Sequence, residues 1–181
     1  MKKRYNFPIL NALQFFIENP YEEIHLREFS RRLNISVNSA QRFLKVFLDE
    51  NLVKDERKAN LRYFRASLDS VVFRSIKKTY SLKQMEDSGL IDFLKKNFPT
   101  AVLFGSVAKG EDDSNSDIDL MCIGLNKKAD LFPFQKKLNK EITLHFFTLA
   151  QWKQQKKENK AFYQEVISTG IVLVGEMPLL D

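Results

Sequence analysis

The sequence predicts an α+β protein in two parts. Three short helices and a basic β-hairpin come first, and a small mixed sheet with helices follows. Three observations carry this reading. Apolar residues recur at helical spacing up to about residue 50, then give way to two strand-like runs around a charged tip. From Thr100 the pattern turns to β, with an apolar run that stops abruptly at Gly105-Ser106. A second β run contains two aspartates, Asp117 and Asp119, on either side of Ile118.

In the first part, Ile9, Leu13 and Phe16 form one helical stripe. Asn19-Pro20 ends that helix, because proline disfavours helical geometry in the residue before it. Leu26, Phe29 and Leu33 form a second stripe, and Asn34-Ile35 is the short turn that follows. Ser36 can then accept a hydrogen bond from the first free amides of a third helix over about 37–50. Ala40, Leu44 and Phe47 lie on one face of that helix, with Asn38, Gln41, Arg42 and Lys45 opposite. Residues 52–56 and 61–66 can pair as strands around a tip at 57–60.

Helices joined by a tight turn and followed by a basic hairpin resemble a winged helix-turn-helix domain over about residues 6–68. In such domains the helix after the turn enters the major groove. The resemblance therefore implies that Asn38, Gln41, Arg42 and Lys45 face bases, with Arg57, Lys58 and Arg62 on the wing against phosphate or minor groove. Charge agrees with that implication: residues 1–68 hold 13 basic and 8 acidic residues, whereas the remainder holds 16 and 15. A localised basic excess is the electrostatic footprint of nucleic-acid binding. The plainer reading is a solvated helix face and hairpin tip. Winged domains also serve as dimerisation or protein-docking modules, so DNA and a homodimer are both expected associations.

The second domain is expected over 88–181, joined to the first, 1–68, by a helical linker at 69–87. Val72, Ile76 and Tyr80 give one stripe of that helical stretch, and Leu90, Phe93 and Leu94 another before Phe98-Pro99. No Gly/Ser-rich linker separates the parts. With 181 residues, 44% of them apolar, and 11 glycines and prolines together, each part can bury a core, and fibrous or disordered classes are excluded. The single cysteine, Cys122, excludes an internal disulfide or a cysteine-based zinc cluster. No apolar run approaches the roughly 20 residues of a membrane span. The start has a basic tip, but Asn6, Asn11 and Gln14 break the apolar stretch behind it and no small-residue cleavage site follows, so no signal peptide is expected. A soluble cytoplasmic protein without membrane association is the expectation.

The chemistry is concentrated in GSVAKGEDDSNSDIDL, residues 105–120. Gly105 lets backbone approach a ligand closely, and Ser106 sits where a helix or turn begins, a place suited to an anionic oxygen. Strand alternation puts Asp117 and Asp119 on one face, with Ile118, Leu120 and Cys122 on the other. Two adjacent carboxylates repel unless a cation neutralises them. Magnesium is the natural occupant, since it is usually held by one or two carboxylates plus substrate phosphates. As a solvated loop, residues 111–116 would carry no chemistry and Asp117 would merely cap a turn. That alternative leaves Asp119 as an unpaired carboxylate in an apolar strand.

Gly105-Ser106, ten residues, then Asp117-x-Asp119 resembles the signature of the polymerase-β-like nucleotidyltransferases, over roughly residues 88–175. Ala108, Gly110, Ser116, Ile118 and Leu120 fit as well. In size and motif the chain is most similar to the minimal nucleotidyltransferases, many of which are antitoxins beside a small helical partner. The resemblance implies that Gly105, Ser106 and Lys109 hold the triphosphate of ATP or another NTP. It also implies that Asp117 and Asp119 hold magnesium, and that a third carboxylate lies one strand later. There the sequence departs: the acidic position aligns with Thr143. Glu141 shares a strand face with Thr143 and His145 and is the candidate substitute. His145 could act as a base, although a lone strand histidine is more often packed.

The resemblance thus implies a magnesium-dependent enzyme transferring a nucleoside monophosphate, AMP in the first instance, to a hydroxyl acceptor. A small helical toxin-like protein is the implied partner and acceptor. The alternative is a DNA-binding regulator whose nucleotide-binding domain is catalytically weak or inactive. The rest of the chain fits the fold: Thr148-x-x-Gln151 is a capping box opening a helix to about Ser168, Gly170 ends it, and residues 171–174 read as a last strand.

Overall fold

The computed structural model describes residues 8–124 and 130–179. The start of the chain, with Asn6, lies outside them. Residues 1–75 and 76–181 make two compact units. Among the described residues no helix is long and apolar enough to cross a membrane.

The first unit runs α1 (Pro8–Glu18), β1 (Ile24–His25), α2 (Leu26–Arg32), α3 (Val37–Asp49), β2 (Val53–Lys58) and β3 (Leu61–Ala66). Its sheet has the order β1-β3-β2 and is antiparallel throughout. Ser36 caps α3 as its sequence position requires, accepting from the Ser39 amide at 3.1 Å. Phe16 packs on Phe29 and Phe47, with ring centroids 5.2 and 6.2 Å apart. Those rings are essentially buried, each worth about 1.5–3 kcal/mol of burial. They fix α3 with its polar face outward.

Two features differ from the sequence reading. The strand β1 is only two residues long, too short to leave a periodic signal, yet Ile24 is fully buried opposite Phe64. The hairpin is tighter than expected: Arg57 and Lys58 belong to β2 rather than to the tip, paired with Arg62 and Leu61. The turn is closed at Ala59, whose φ of 53° is left-handed.

The helix α4 (Val71–Ser88) begins in the first unit and continues into the second, where α5 (Leu90–Asn97) follows after a break at Gly89, φ 86°. Within α4 the buried positions are Phe73, Lys77, Met85 and Ser88, while Val72 is 59% exposed. The expected stripe is therefore shifted by one residue, and a lysine occupies an interior position.

The second unit continues with β4 (Thr100–Phe104), α6 (Gly105–Lys109), β5 (Ile118–Ile123), α7 (Phe132–Leu138), β6 (Ile142–Phe147), α8 (Leu149–Glu158), α9 (Lys160–Thr169) and β7 (Ile171–Val174). Its sheet has the order β6-β5-β4-β7; β5 and β6 are parallel and the other pairs antiparallel. The sheet is mixed, as expected. Ile118, Leu120 and Cys122 pack with Leu90, Leu94 and Leu103. Met121 and Ile123 pack with Val102, Phe104, Trp152 and Val166. With both faces covered, β5 is held rigidly, and so is the Asp119 it carries.

The capping box at Thr148 and Gln151 is present, but the single helix expected after it is two. Asn159, with φ −133° and ψ 66°, ends α8, and its side chain caps α9 by accepting from the Phe162 amide. An asparagine among polar residues gives little periodic warning of such a break. The short helix α7 was not anticipated by the sequence reading either.

Candidate active site

The site begins where β4 gives way to α6. Gly105 has φ 73°, and a Cβ there would collide with Asp119 Oδ2 and lie 3.2 Å from its Cγ. Glycine is required for both reasons: the backbone is left-handed, and a carboxylate occupies the side chain's place. Phe104 is the register partner of Asp119 across the β4–β5 ladder, so the turn and the carboxylate are fixed to each other by sheet hydrogen bonds. Ser106 is half-buried in the first turn of α6.

Asp117 is exposed immediately before β5, and Asp119 is half-buried as its second residue. Alternation places the two on one face. Burial holds the Asp119 carboxyl above the usual aspartate range; His145 draws it down, while Asp117 and Glu165 push it further up. Among the described residues no ion pair or hydrogen bond engages either carboxylate. This donor set fits magnesium: two hard oxygens on one face, one of them desolvated and without an ion-pair partner among the described residues, beside a turn free of side chain. No group of three or more His, Cys, Asp or Glu side chains suited to a metal is present among the described residues, so phosphate and water would complete the shell.

Thr143 is the register partner of Asp119 on the parallel strand β6. The position aligned with a third acid thus lies next to Asp119. Glu141 is exposed and precedes β6; its backbone oxygen accepts from the Ile118 amide at 2.9 Å. It is not among the charges acting on Asp119. Besides Asp117, the carboxylate among them is Glu165 on α9, which escaped the sequence reading. His145 is packed, its ring 5.2 Å from both Phe104 and Phe162. Lys109, at the end of α6, holds Glu165 Oε1 at 2.6 Å.

The loop before Asp117 is not the solvated acidic segment that composition suggests. Asp112 is 2% exposed. Its carboxylate lies 3.1 Å from Lys77 Nζ and 3.2 Å from Lys140 Nζ. The Lys140 ammonium also donates to the Asp113 and Ser116 carbonyl oxygens, the second at 3.0 Å. Ser116 Oγ donates to Asp113 Oδ1 and accepts from the Asp113 amide, both at 2.9 Å. These bonds hold the Asp113 carboxyl below its usual range and deliver the chain to Asp117 in one conformation.

Residues 89–178 match the family described as Polymerase beta, Nucleotidyltransferase. They form a nucleotidyltransferase-type domain. Two solved toxin–antitoxin structures are similar to part of the chain. One, solved with AMP-PNP, shares 23% identity over 50% of this chain and 73% of its own, with a TM-score of 0.35. The other, a mutant of the toxin–antitoxin MntA-HpeT, shares 21% over 48% and 71%, also with a TM-score of 0.35. A comparison with curated proteins finds no match. The nucleotidyltransferase domain includes the Gly105 turn, both aspartates, Thr143 and Glu165.

In the first unit, Asn38, Gln41, Arg42 and Lys45 are all exposed along α3. A groove of 810 Å³ separates that helix from the hairpin, with Gln41, Lys45, Lys54 and Arg62 among its lining. Three of the hairpin cations are already engaged: Lys54 with Asp69, and, each at 2.5 Å, Lys58 Nζ with Glu23 and Arg62 Nε with Asp55.

Proposed function

We propose that the nucleotidyltransferase domain transfers AMP from ATP to a hydroxyl acceptor, with Asp117 and Asp119 holding magnesium. The observation that carries this reading is the fit of the Gly105 turn against the Asp119 carboxylate within a domain of that family. Ser106 and the first amides of α6 face the phosphates, and Lys109 supplies positive charge. The acceptor oxygen bonds to the α-phosphorus, the bond to the β-phosphate's bridging oxygen breaks, pyrophosphate leaves, and the hydroxyl proton passes to water. Magnesium, when bound, supplies charge stabilisation at the phosphates. The motif resemblance favours a small helical protein as the acceptor.

Thr143 cannot serve as a charged ligand or base beside Asp119, so transfer is slow. Thr143→Asp should raise it and Glu141→Gln should lower it, measured as labelled AMP passing from ATP to the small helical partner protein. If only Thr143→Asp shows transfer and the natural chain none, the protein is a nucleotide-responsive regulator instead.

The first unit has the element order of a winged helix-turn-helix domain, which supports DNA binding through α3 and the hairpin. Arg57 and Arg62 are register partners across the hairpin, which concentrates basic side chains on the wing. Arg42→Ala and Lys45→Ala in the full chain should each weaken DNA binding and reduce the salt slope by about one. Alanine at Lys58 or Arg62 should do less, since each already has a carboxylate partner. Lack of any DNA retardation at low salt would make this unit a protein-interaction module.

A further inference from the structure

We propose that Glu165 is the resting partner of Lys109, holding its ammonium until nucleotide phosphate displaces it, and that this competition sets nucleotide affinity. The proposal rests on the nucleotide-binding reading above.

Lys109 closes the five-residue helix that Gly105 opens, and at i, i+4 the two positions lie on one helix face. The partner of Lys109 comes from α9, and the pair is short, 2.6 Å, with side chains 34% and 39% exposed. A buried pair would be costly to open. A pair this accessible is worth little and exchanges readily with a solute anion.

The placement of Glu165 is fixed by its neighbour one helical turn earlier. Phe162 lies on the same face of α9, and its ring packs 5.3 Å from Phe104 and 5.2 Å from His145. Phe104 is the register partner of Asp119. The aromatic contacts therefore anchor α9 over the face of the sheet that presents Asp119, and Glu165 is close enough to act on that carboxyl electrostatically. It forms no metal-binding group with the aspartates among the described residues. Its partner is the lysine, and it acts through it as a positioning residue. A triphosphate carries more charge than one carboxylate and takes the ammonium when it arrives.

Magnesium-ATP titrated into the full chain by calorimetry tests this. Glu165→Gln should tighten binding about three- to fivefold, the range open to a half-exposed ion pair. Lys109→Met should weaken binding, and adding Glu165→Gln to it should change nothing further. Lys109→Arg keeps the charge and should keep the response to Glu165→Gln. Unchanged or weaker binding by Glu165→Gln overturns the proposal. So does tightening that persists undiminished beside Lys109→Met, which would make Glu165 a direct influence on Asp119. If the unaltered chain binds magnesium-ATP but Lys109→Met leaves affinity intact, the proposal fails while the nucleotide reading stands. If the unaltered chain binds none, both fail.

Discussion

Alanine at both Asp117 and Asp119 is expected to abolish magnesium-dependent ATP binding, and removal of the Asp119 charge alone is expected to make the nucleotide-free protein more stable. The first expectation follows from the donor set. These carboxylates are the two acidic oxygen donors beside the Gly105 turn, and magnesium held by water and phosphate alone has no anchor on the protein. The second follows from burial. Asp119 is held above its ordinary value of 3.8 by desolvation, with Asp117 and Glu165 adding to it. A carboxyl raised on folding contributes its full stability when protonated, below its unfolded value, and loses it as pH rises through the folded value. At neutral pH the ionised group is therefore a cost to the fold. Asp119→Asn, which keeps the shape, should melt higher than the unaltered chain in chelator at neutral pH, with the difference closing in acid. Saturating magnesium-ATP should reverse the order, since ligand at a hundred times its dissociation constant adds about 2.7 kcal/mol. Equal ATP affinity with and without magnesium in the unaltered chain would sink the metal reading.

What the sequence made legible was local. The Ser36 cap, the Thr148 box, the stop at Gly105 and the alternation around Ile118 each depend on residues within a few positions, where steric and hydrogen-bonding rules act directly. The helix break at Asn159 was not legible, because a polar run supports one helix as well as two. Lys77 and Asp112 were hidden for a different reason. A lysine on a helix and an aspartate in an acidic loop each read as solvated, and only the fold reveals that they neutralise one another inside it. Glu165 was hidden likewise: nothing in KAFYQEVIST distinguishes a solvent-facing glutamate from one paired 56 residues away with Lys109. The site's backbone was readable, whereas the charges that tune it come from elements distant in sequence.

Asp112→Ala is expected to destabilise the second unit by about 3–5 kcal/mol, the typical loss when one member of a buried ion pair is removed. The side chains of Asp112 and Lys77 are each 3% exposed, and Lys140 is 19% exposed. Desolvation already holds the Lys77 ammonium below its usual range, and attraction from Asp112 opposes that shift. Without the carboxylate the opposition is gone and the lysine is buried either uncompensated or neutral. A lysine depressed on folding costs stability while protonated, and the cost fades as pH rises toward its unfolded value of 10.5. The deficit of Asp112→Ala relative to the unaltered chain should therefore shrink at alkaline pH. Adding Lys77→Met should recover part of it at neutral pH, because the apolar chain needs no counter-charge. Chemical denaturation of the single and double variants at both pH values measures these differences. The same substitution should also weaken magnesium-ATP binding, since Lys140 would lose one of the partners that let it hold the 113 and 116 carbonyls ahead of Asp117. A loss under about 1 kcal/mol would mean that water reaches Lys77 and that the cluster does not brace the site.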